Sequence, residues 1–506
     1  MSFRDYRFLG MTQSLCPTCL KLVQAKIICR EQKVYFRKYC PEHGMREDMV
    51  CSDVDWFDRS EFSLPGKQPL HFGTSVSKGC PYDCGLCTEH EQHTCIGLLE
   101  ITSHCNLECP VCFANSGPGG KHLSVTQCRA AIDTLVEAEG EPEVLQLSGG
   151  EPTIHPQFLD ILEYACQQPI DVVMINTNGI RIARDPAFVE KLCELKHRLE
   201  IYFQFDSFDD DDTGLLRGQS LVETKLKALE VLGKAGIRTT LVCTLQRGVN
   251  ENEIGRLVDF AVGRRWVTGV SFQPTTYTGR YFLPDDEERI TFPEVLQRIE
   301  SQTKGRWRQN DFSPLPCAHP NAHTVGYTFR DIKVDGGVDA LPLARFVDLE
   351  NHLELLSGRI TYNRDRTKEL VETFLANTGC SMTKPMGNCE PKAVDELAAL
   401  LVAGFGSNAD AKDATGATDK EANGLVGQFI RQALTQTLAP EDMLRITTTS
   451  FMDPYNFDVR QLMKSCVHQV LPTGHIIPFS AYNIFYREGQ LPLPKLNKQL
   501  HTLSAV

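Results

Sequence analysis

"SHCNLECPVCFANSG", residues 103–117, sets Cys105, Cys109 and Cys112 within eight positions. Three residues separate the first pair and two the second. A structural four-coordinate metal site wants four ligands, and no fourth cysteine stands beside these three. Three thiolates at this spacing can hold three irons of a cubane [4Fe–4S] cluster and leave the fourth iron open to another molecule. A zinc site completed by His104 or by a distant cysteine is the rival reading of these residues alone.

The stretch follows "GLLEIT" (97–102), which reads as a buried strand, and it opens a regular alternation. "SVTQCRAAIDTLVEAEG" (124–140) reads as a helix. Ser124 and Gln127 make its capping box, and Val125, Ile132, Leu135 and Val136 fall at helical spacing. "EVLQLSGGEP" (143–152) is a strand that runs into a glycine turn. A helix near 156–166 precedes the strand 171–179, and a helix near 186–195 precedes the strand 199–207. A helix at 221–235, stopped by Gly236, leads to the strand 238–246. A helix near 251–263 leads to the strand 268–274. Six strands alternating with helices imply a parallel sheet with right-handed crossovers, open or curled into a partial barrel. In either form, chemistry belongs at the carboxyl ends of the strands. The cysteine loop, "SGGEP", "NTNG" and Asp206 all fall there.

The 506 residues are 42% apolar and 23% charged, and this length predicts more than one domain. A net charge of −13 argues against nucleic acid as the main partner. No run of 18 apolar residues suggests a spanning helix. The N-terminus lacks a secretory pattern, which predicts a cytoplasmic protein. Twelve of the 20 cysteines fall in the first 112 residues, and clustered cysteines in a reducing compartment read as metal ligands. Cys128, Cys166, Cys193 and Cys243 sit in apolar segments and read as buried thiols.

"CPTC" and "KYCPEHG" supply Cys16, Cys19, Cys40 and His43, a zinc-type set in which iron is also chemically sound. Cys29 or Cys51 in place of His43 stays open. The basic spacer (Lys21, Lys26, Arg30, Lys33, Arg37, Lys38) reads as a solvated hairpin face or as a dock for an acidic electron-donor protein. "CPYDCGLCTEHEQHTC" groups Cys80, Cys84, Cys87 and Cys95 as an auxiliary [4Fe–4S] cluster. The rival there is zinc with His90 or His93. Cys317, Cys380, Cys389 and Cys466 read either as a shared cluster or as structural thiols.

The CxxxCxxC loop, Phe113 after its third cysteine and the "GGEP" turn resemble the radical S-adenosylmethionine enzymes. The resemblance covers roughly residues 97–275 and implies a partial (β/α)6 barrel. It implies that Cys105, Cys109 and Cys112 ligate a catalytic [4Fe–4S] cluster whose open iron takes the amino and carboxyl groups of S-adenosylmethionine. Ser148, Gly149, Gly150, Glu151 and Pro152 would contact the amino group. By position at strand ends, Asn176, Asn178 and Gln204 are candidates for the ribose or carboxylate. The cofactor then yields a 5′-deoxyadenosyl radical that takes hydrogen from an unactivated carbon, with a low-potential donor such as ferredoxin or flavodoxin supplying electrons.

Across nearly the full chain, "CPTC", "CPEHG", "CPYDCGLCTEH", "CNLECPVCFA", "LPCAHP" and "FMDPYNFDVRQLMKSCVH…IPFSAYN" resemble the tetraether lipid synthase-like branch of these enzymes. That branch implies auxiliary clusters, a mononuclear site, carbon–carbon bond formation on a lipid and contact with a membrane periphery. Its alternative is methylation of a pterin-type small molecule. The chain departs from the pattern at Ser465, Ser480 and Asn321 or Ala322, where cysteines are expected. A zinc or iron–sulfur binding protein without catalysis is the reading from another class.

The expected architecture is therefore α/β. It runs from a metal-binding module (1–60) and an auxiliary-cluster segment (61–96) through the core barrel (97–310) to a post-barrel region (311–402). A linker (403–425) and a small α+β C-terminal domain (426–506) complete it.

Overall fold

The computed structural model describes residues 4–282, 289–333, 335–345, 368, 371–372 and 419–497. It opens with four antiparallel strands paired in chain order: β1 (Arg7–Leu15), β2 (Leu22–Arg30), β3 (Lys33–Cys40) and β4 (Gly44–Cys51). Alternation gives this ribbon two faces. Ala25, Ile27 and Phe36 are buried, while Met11, Lys26 and Arg37 form a cross-strand row on the other side. The inner face docks on the C-terminal part of the chain. Buried Lys38 pairs with Asp48 at 2.7 Å and donates to the Tyr455 carbonyl at 2.7 Å, and Thr12 donates to Asp458 at 2.6 Å.

The alternation expected after residue 97 is present. It runs β5 (Ile96–Thr102), α1 (Val125–Glu139), β6 (Val144–Gly149), α2 (Phe158–Gln167), β7 (Val172–Thr177), α3 (Ile180–Arg184), α4 (Pro186–Glu194) and β8 (Leu199–Gln204). It continues with α5 (Asp210–Arg217), α6 (Val222–Ala235), β9 (Thr239–Leu245), α7 (Ile254–Val262), β10 (Val267–Pro274) and α8 (Phe292–Gln302). The capping box of α1 forms as its sequence requires. Gln127 N–H donates to Ser124 Oγ at 3.2 Å, and Ser124 N–H donates to Gln127 Oε1 at 2.9 Å. Both faces of the sheet are covered. On β6, Leu145 and Leu147 pack in the main core, and the intervening Gln146 faces the interior cavity.

Beyond the core come β11 (Ser313–Pro314), β12 (His323–Ile332), β13 (Val338–Pro342), α9 (Asp419–Leu434), β14 (Met443–Thr449), β15 (Val467–Val470) and β16 (Ile476–Pro478). β14 pairs parallel with β10, and β15 pairs parallel with β5. Among the described residues, eight consecutive strands of the sheet, β15-β5-β6-β7-β8-β9-β10-β14, therefore run parallel. Residues expected to form a C-terminal domain supply both flanking strands.

The linker expected over 403–425 is corrected at its end, because residues 419–425 belong to α9. The polar first turn of that helix hid it, whereas Leu425, Val426, Phe429, Ile430 and Ala433 are buried at helical spacing. Residues 403–418, the apolar segment 393–405, Cys380 and Cys389 lie outside the described residues. Among those described, no helix is long and apolar enough to cross a membrane.

Candidate active site and metal centres

The carboxyl ends of β5, β6 and β7 meet around the cysteine loop. Gly150 N–H donates to the Thr102 carbonyl at 2.8 Å, and Glu151 N–H donates to the His104 carbonyl at 3.0 Å. These contacts require glycine. Gly149 has φ +130°, and a Cβ there would come within 2.0 Å of the Thr102 oxygen; one on Gly150 would come within 2.3 Å of the His104 oxygen. Glu151 is buried and fully engaged. It accepts from Thr153 N–H (3.1 Å), the Thr153 hydroxyl (2.5 Å), the Thr177 hydroxyl (2.8 Å) and Asn178 N–H (2.8 Å). Burial raises its pKa against these donors. Glu151 thus ties the end of β6 to the end of β7.

Cys105, Cys109 and Cys112 line a cavity of about 210 Å³ together with Gly149, Gly150, Glu151, Asn176, Asn178 and Gln204. Ser148 and Pro152 are buried behind this wall, where Ser148 accepts from Asn176 Nδ2 at 3.0 Å. Asn178 Nδ2 donates to Asn106 Oδ1 at 2.7 Å, holding the cysteine loop. Burial pushes the Cys105 thiol up to about 12 and also raises Cys109, whose neighbour Arg217 pulls the other way. Three thiols on one loop, set against a glycine cradle and opening into a cavity, fit a cubane with one free iron.

Two arginines absent from the sequence reading hold this arrangement. Arg280 donates to the carbonyls of Cys109 (2.8 Å) and Ser116 (2.6 Å) and to Asn115 Oδ1 (3.1 Å), stapling the loop from outside. Arg217, at the end of α5, is buried against Asp206 with Nε–Oδ2 at 2.8 Å and Nη2–Oδ1 at 2.6 Å, and it reaches the Val111 carbonyl at 3.3 Å. With its amide oxygen turned toward the guanidinium, Gln204 accepts from Arg217 Nε at 2.8 Å. Burial opposes ionisation of Asp206, but the Arg217 charge outweighs it and the carboxyl stays below its usual range. The signal for α5 was present in the sequence: Asp209 caps it, acidic residues fill its first turn and Gly218 ends it at φ 76°.

The far wall of the cavity is polar. Tyr202, Thr240, Ser271, Gln273, Arg445 and Thr447 line it from β8, β9, β10 and β14. Gln273 Nε2 donates to the Tyr202 hydroxyl at 2.8 Å, and that hydroxyl donates to Ser271 Oγ at 3.0 Å. Arg445 reaches Glu200 Oε1 at 3.4 Å.

In the ribbon, the ligand atoms of Cys16, Cys19, Cys40 and His43 all lie within 4.8 Å of one another. Cys19 and Cys40 Sγ are 3.8 Å apart, and His43 Nδ1 is 3.5 Å from Cys40 and 3.6 Å from Cys16. These separations match the edges of a tetrahedron with Zn–S bonds of about 2.3 Å. The Glu42 backbone N–H and then the His43 ring lower the Cys40 thiol to about 6, toward the thiolate a metal needs. Cys51 donates to the Asp53 carbonyl at 3.2 Å, and burial pushes it up to about 12, so it is not the alternative ligand. Cys29 lies outside the ligand group.

The grouping of Cys95 with Cys80, Cys84 and Cys87 is corrected. Cys95 lies with Cys317 and Cys466, all three ligand atoms within 4.8 Å and Cys95–Cys317 at 3.7 Å. The cause is strand pairing: Cys95 and Ile96 N–H donate to the Cys466 carbonyl at 2.9 and 3.1 Å, where β15 begins beside β5. Cys80, Cys84 and Cys87 stay together on their own loop, where Cys84 lowers the Cys80 pKa. They repeat the spacing of Cys105, Cys109 and Cys112. Of the expected rivals, His90 turns away from these thiols, while His93 reaches Cys95. His90 Nε2 meets the Ser465 carbonyl at 2.9 Å and His468 at 3.1 Å. His93 pairs with buried Glu139 at 3.0 Å and brings Nε2 within 3.5 Å of Cys95 Sγ.

A family model described as the radical SAM superfamily matches residues 99–261, and one described as the HMPTM N-terminal zinc ribbon domain matches residues 8–52. The chain is similar to the 7,8-dihydro-6-hydroxymethylpterin dimethyltransferase of Methanocaldococcus jannaschii, at 32% identity over 506 residues and 94% of each chain. Mycofactocin maturase MftC of Mycobacterium ulcerans is 30% identical over 165 residues, 32% of this chain and 42% of that protein. The solved structure of Streptococcus suis SuiB bound to the precursor peptide SuiA aligns over 42% of this chain and 46% of that one, at 17% identity and a TM-score of 0.35.

Proposed function

From the membership of this chain in the radical S-adenosylmethionine superfamily, within the family of the Methanocaldococcus jannaschii pterin dimethyltransferase, we propose that it methylates a reduced pterin or a closely related small heterocycle. The chain is an enzyme whose cofactors are a [4Fe–4S] cluster and S-adenosylmethionine. Cys105, Cys109 and Cys112 would hold the cluster, and the Gly149–Glu151 turn, Asn176, Asn178 and Gln204 would hold S-adenosylmethionine. Bound there, the pair supplies reductive C–S cleavage and a radical able to take hydrogen from an unactivated carbon.

The remaining work falls to the protein. Glu151 and Arg280 fix the loop and turn before any ligand arrives, so little ordering is left to complete on binding. Arg217, its charge paired with Asp206, holds the cysteine loop from behind through the Val111 carbonyl. Phe113 packs edge to face on Phe479 with centroids 5.1 Å apart, Phe451 lies tilted against it at 4.5 Å, and all three line the cavity beside the cysteine loop, where they keep water away. Cys16, Cys19, Cys40 and His43 would hold zinc, and the Cys80–Cys87 and Cys95–Cys317–Cys466 sets would hold auxiliary metal groups.

The single observation that carries the pterin reading is the polar wall of β8, β9, β10 and β14. Amide, hydroxyl and guanidinium groups there can pair with the donors and acceptors on the edge of a fused heterocycle. A pair of lipid chains would leave those groups only one another to pair with. The test is an anaerobic assay with methyl-deuterated S-adenosylmethionine, offering 7,8-dihydro-6-hydroxymethylpterin in one reaction and a lipid extract in the other. Reductive cleavage leaves that methyl on methionine, so methyl transfer needs a second one-carbon donor; 5′-deoxyadenosine and a methylated pterin are expected, deuterated where a second S-adenosylmethionine is the donor. Coupled lipid chains with no methylated pterin would replace this reading with the lipid one.

A further inference from the structure

The outer face of the ribbon sheet has no role in the chemistry above. Met11, Lys26, Arg37 and Glu47 share one cross-strand row there, and Tyr39 pairs with Met45 beside it. Met11 is 47% exposed, and Tyr39 and Met45 are each 58% exposed. Among the described residues, five of the eleven exposed large apolar side chains belong to this one module. Such a concentration marks an interaction surface.

Its charge narrows the partner. Residues 4–52 carry nine Lys and Arg against five Asp and Glu, in a chain whose net charge is −13. The ribbon is thus a positive module on a negative molecule. Arg30 and Arg37 there share Glu47, and Lys26 adds a further positive charge; apolar side chains beside a net positive charge suit a small, transient contact with an acidic protein, steered by charge. The position of the ribbon narrows it further. Leu15 shares a core with Cys84, and Leu20 and Leu22 pack against that core. The exposed Tyr82 lies between Cys80 and Cys84 on the same loop. A protein seated on the ribbon is therefore separated by this small module from three thiols able to hold a redox group.

We propose that this face docks a small acidic one-electron carrier protein, which loses one electron as an iron–sulfur site of this chain gains one. The proposal rests on the superfamily membership and not on the pterin reading. A second copy of the chain also offers acidic surface, and that occupant is one outcome of the test.

The probe is an acidic flavodoxin, reduced photochemically and presented to the anaerobic holoenzyme. Affinity is read by biolayer interferometry at low and high salt, and cluster reduction by stopped-flow absorbance. The variants are Lys26→Glu/Arg37→Glu and, because Arg37 also pairs with Glu47 at 3.2 Å, Lys26→Glu alone. Charge reversal is expected to raise Kd at least about tenfold and slow reduction by flavodoxin to match, with high salt doing the same to the wild type. Reduction by dithionite should not change, which shows the fold and the clusters intact. An unchanged Kd in both variants overturns the proposal. So does a dimer in sedimentation that the variants dissolve while flavodoxin binding persists, since the face would then belong to a second copy.

Discussion

Lys225 illustrates what one residue carries here. Its ammonium is buried, donates to the Gln204 carbonyl at 2.6 Å and lies near both Asp206 and Arg217. Burial lowers its pKa from 10.5 to about 8, against the pull of Asp206. Between those values the unfolded chain binds a proton that the folded chain has released, so stability contributed by this group rises with pH across that window. Below about pH 8 both states are protonated and the burial penalty is felt in full. The expected outcome is a rise in stability between pH 8 and 10.5, on the order of 3 kcal/mol in total, present in the wild type and absent from Lys225→Met. Chemical denaturation at four or five pH values measures it, and equal slopes would show that Lys225 does not titrate there. Position alone did not reveal this residue. Lys225 lies in α6 among polar neighbours and reads as solvated, and only the approach of α6 to the end of β8 buries it.

At the scale of elements, local signals carried far and long-range pairing carried nowhere. The capping box of α1, the glycine after α6 and the alternating strands from β5 to β10 each announce themselves within a few residues. The pairing of β15 with β5 does not, because 371 positions separate Ile96 from Val467. That pairing sets Cys466 beside Cys95, so the true partners of Cys95 were invisible and its neighbours on the chain, Cys80 to Cys87, stood in for them. The three thiols now come from three different segments, and a metal among them would pin β15 to β5. Cys317→Ser should therefore remove the metal of that site and leave the ribbon metal in place. It should also speed amide exchange at Cys95 and Ile96, whose N–H groups bond the Cys466 carbonyl, by about tenfold or more. Metal analysis beside hydrogen-exchange mass spectrometry reads both. Full metal content in the variant would mean that the cluster of thiols is packing alone.

The whole molecule joins the ribbon and the parallel sheet in one core. Ala25, Ile27, Val34 and Phe36 of the ribbon belong to the same buried cluster as Leu99, Leu145 and Val270 of the parallel sheet. The sequence suggested a separable module over residues 1–60, because the CxxC…CxxH pattern closes a metal site on its own. Its inner face was unreadable, since alternation shows that a strand has a buried side but not what covers it. A structural zinc contributes its binding energy to folding, an apparent 10–16 kcal/mol in isolated zinc-finger peptides. Where the ribbon is an independent unit, losing the zinc melts the ribbon and leaves the barrel transition unmoved. With a shared core, and with Lys38 and Thr12 bonded to residues 455 and 458, losing the zinc exposes barrel side chains as well. Cys40→Ser is therefore expected to lower the main calorimetric transition by several degrees, at roughly 1 °C for each kcal/mol lost in a cooperative unit of this size, with no separate ribbon transition appearing. Two resolved transitions, the upper one at the wild-type temperature, would show instead that the ribbon folds apart from the barrel it covers.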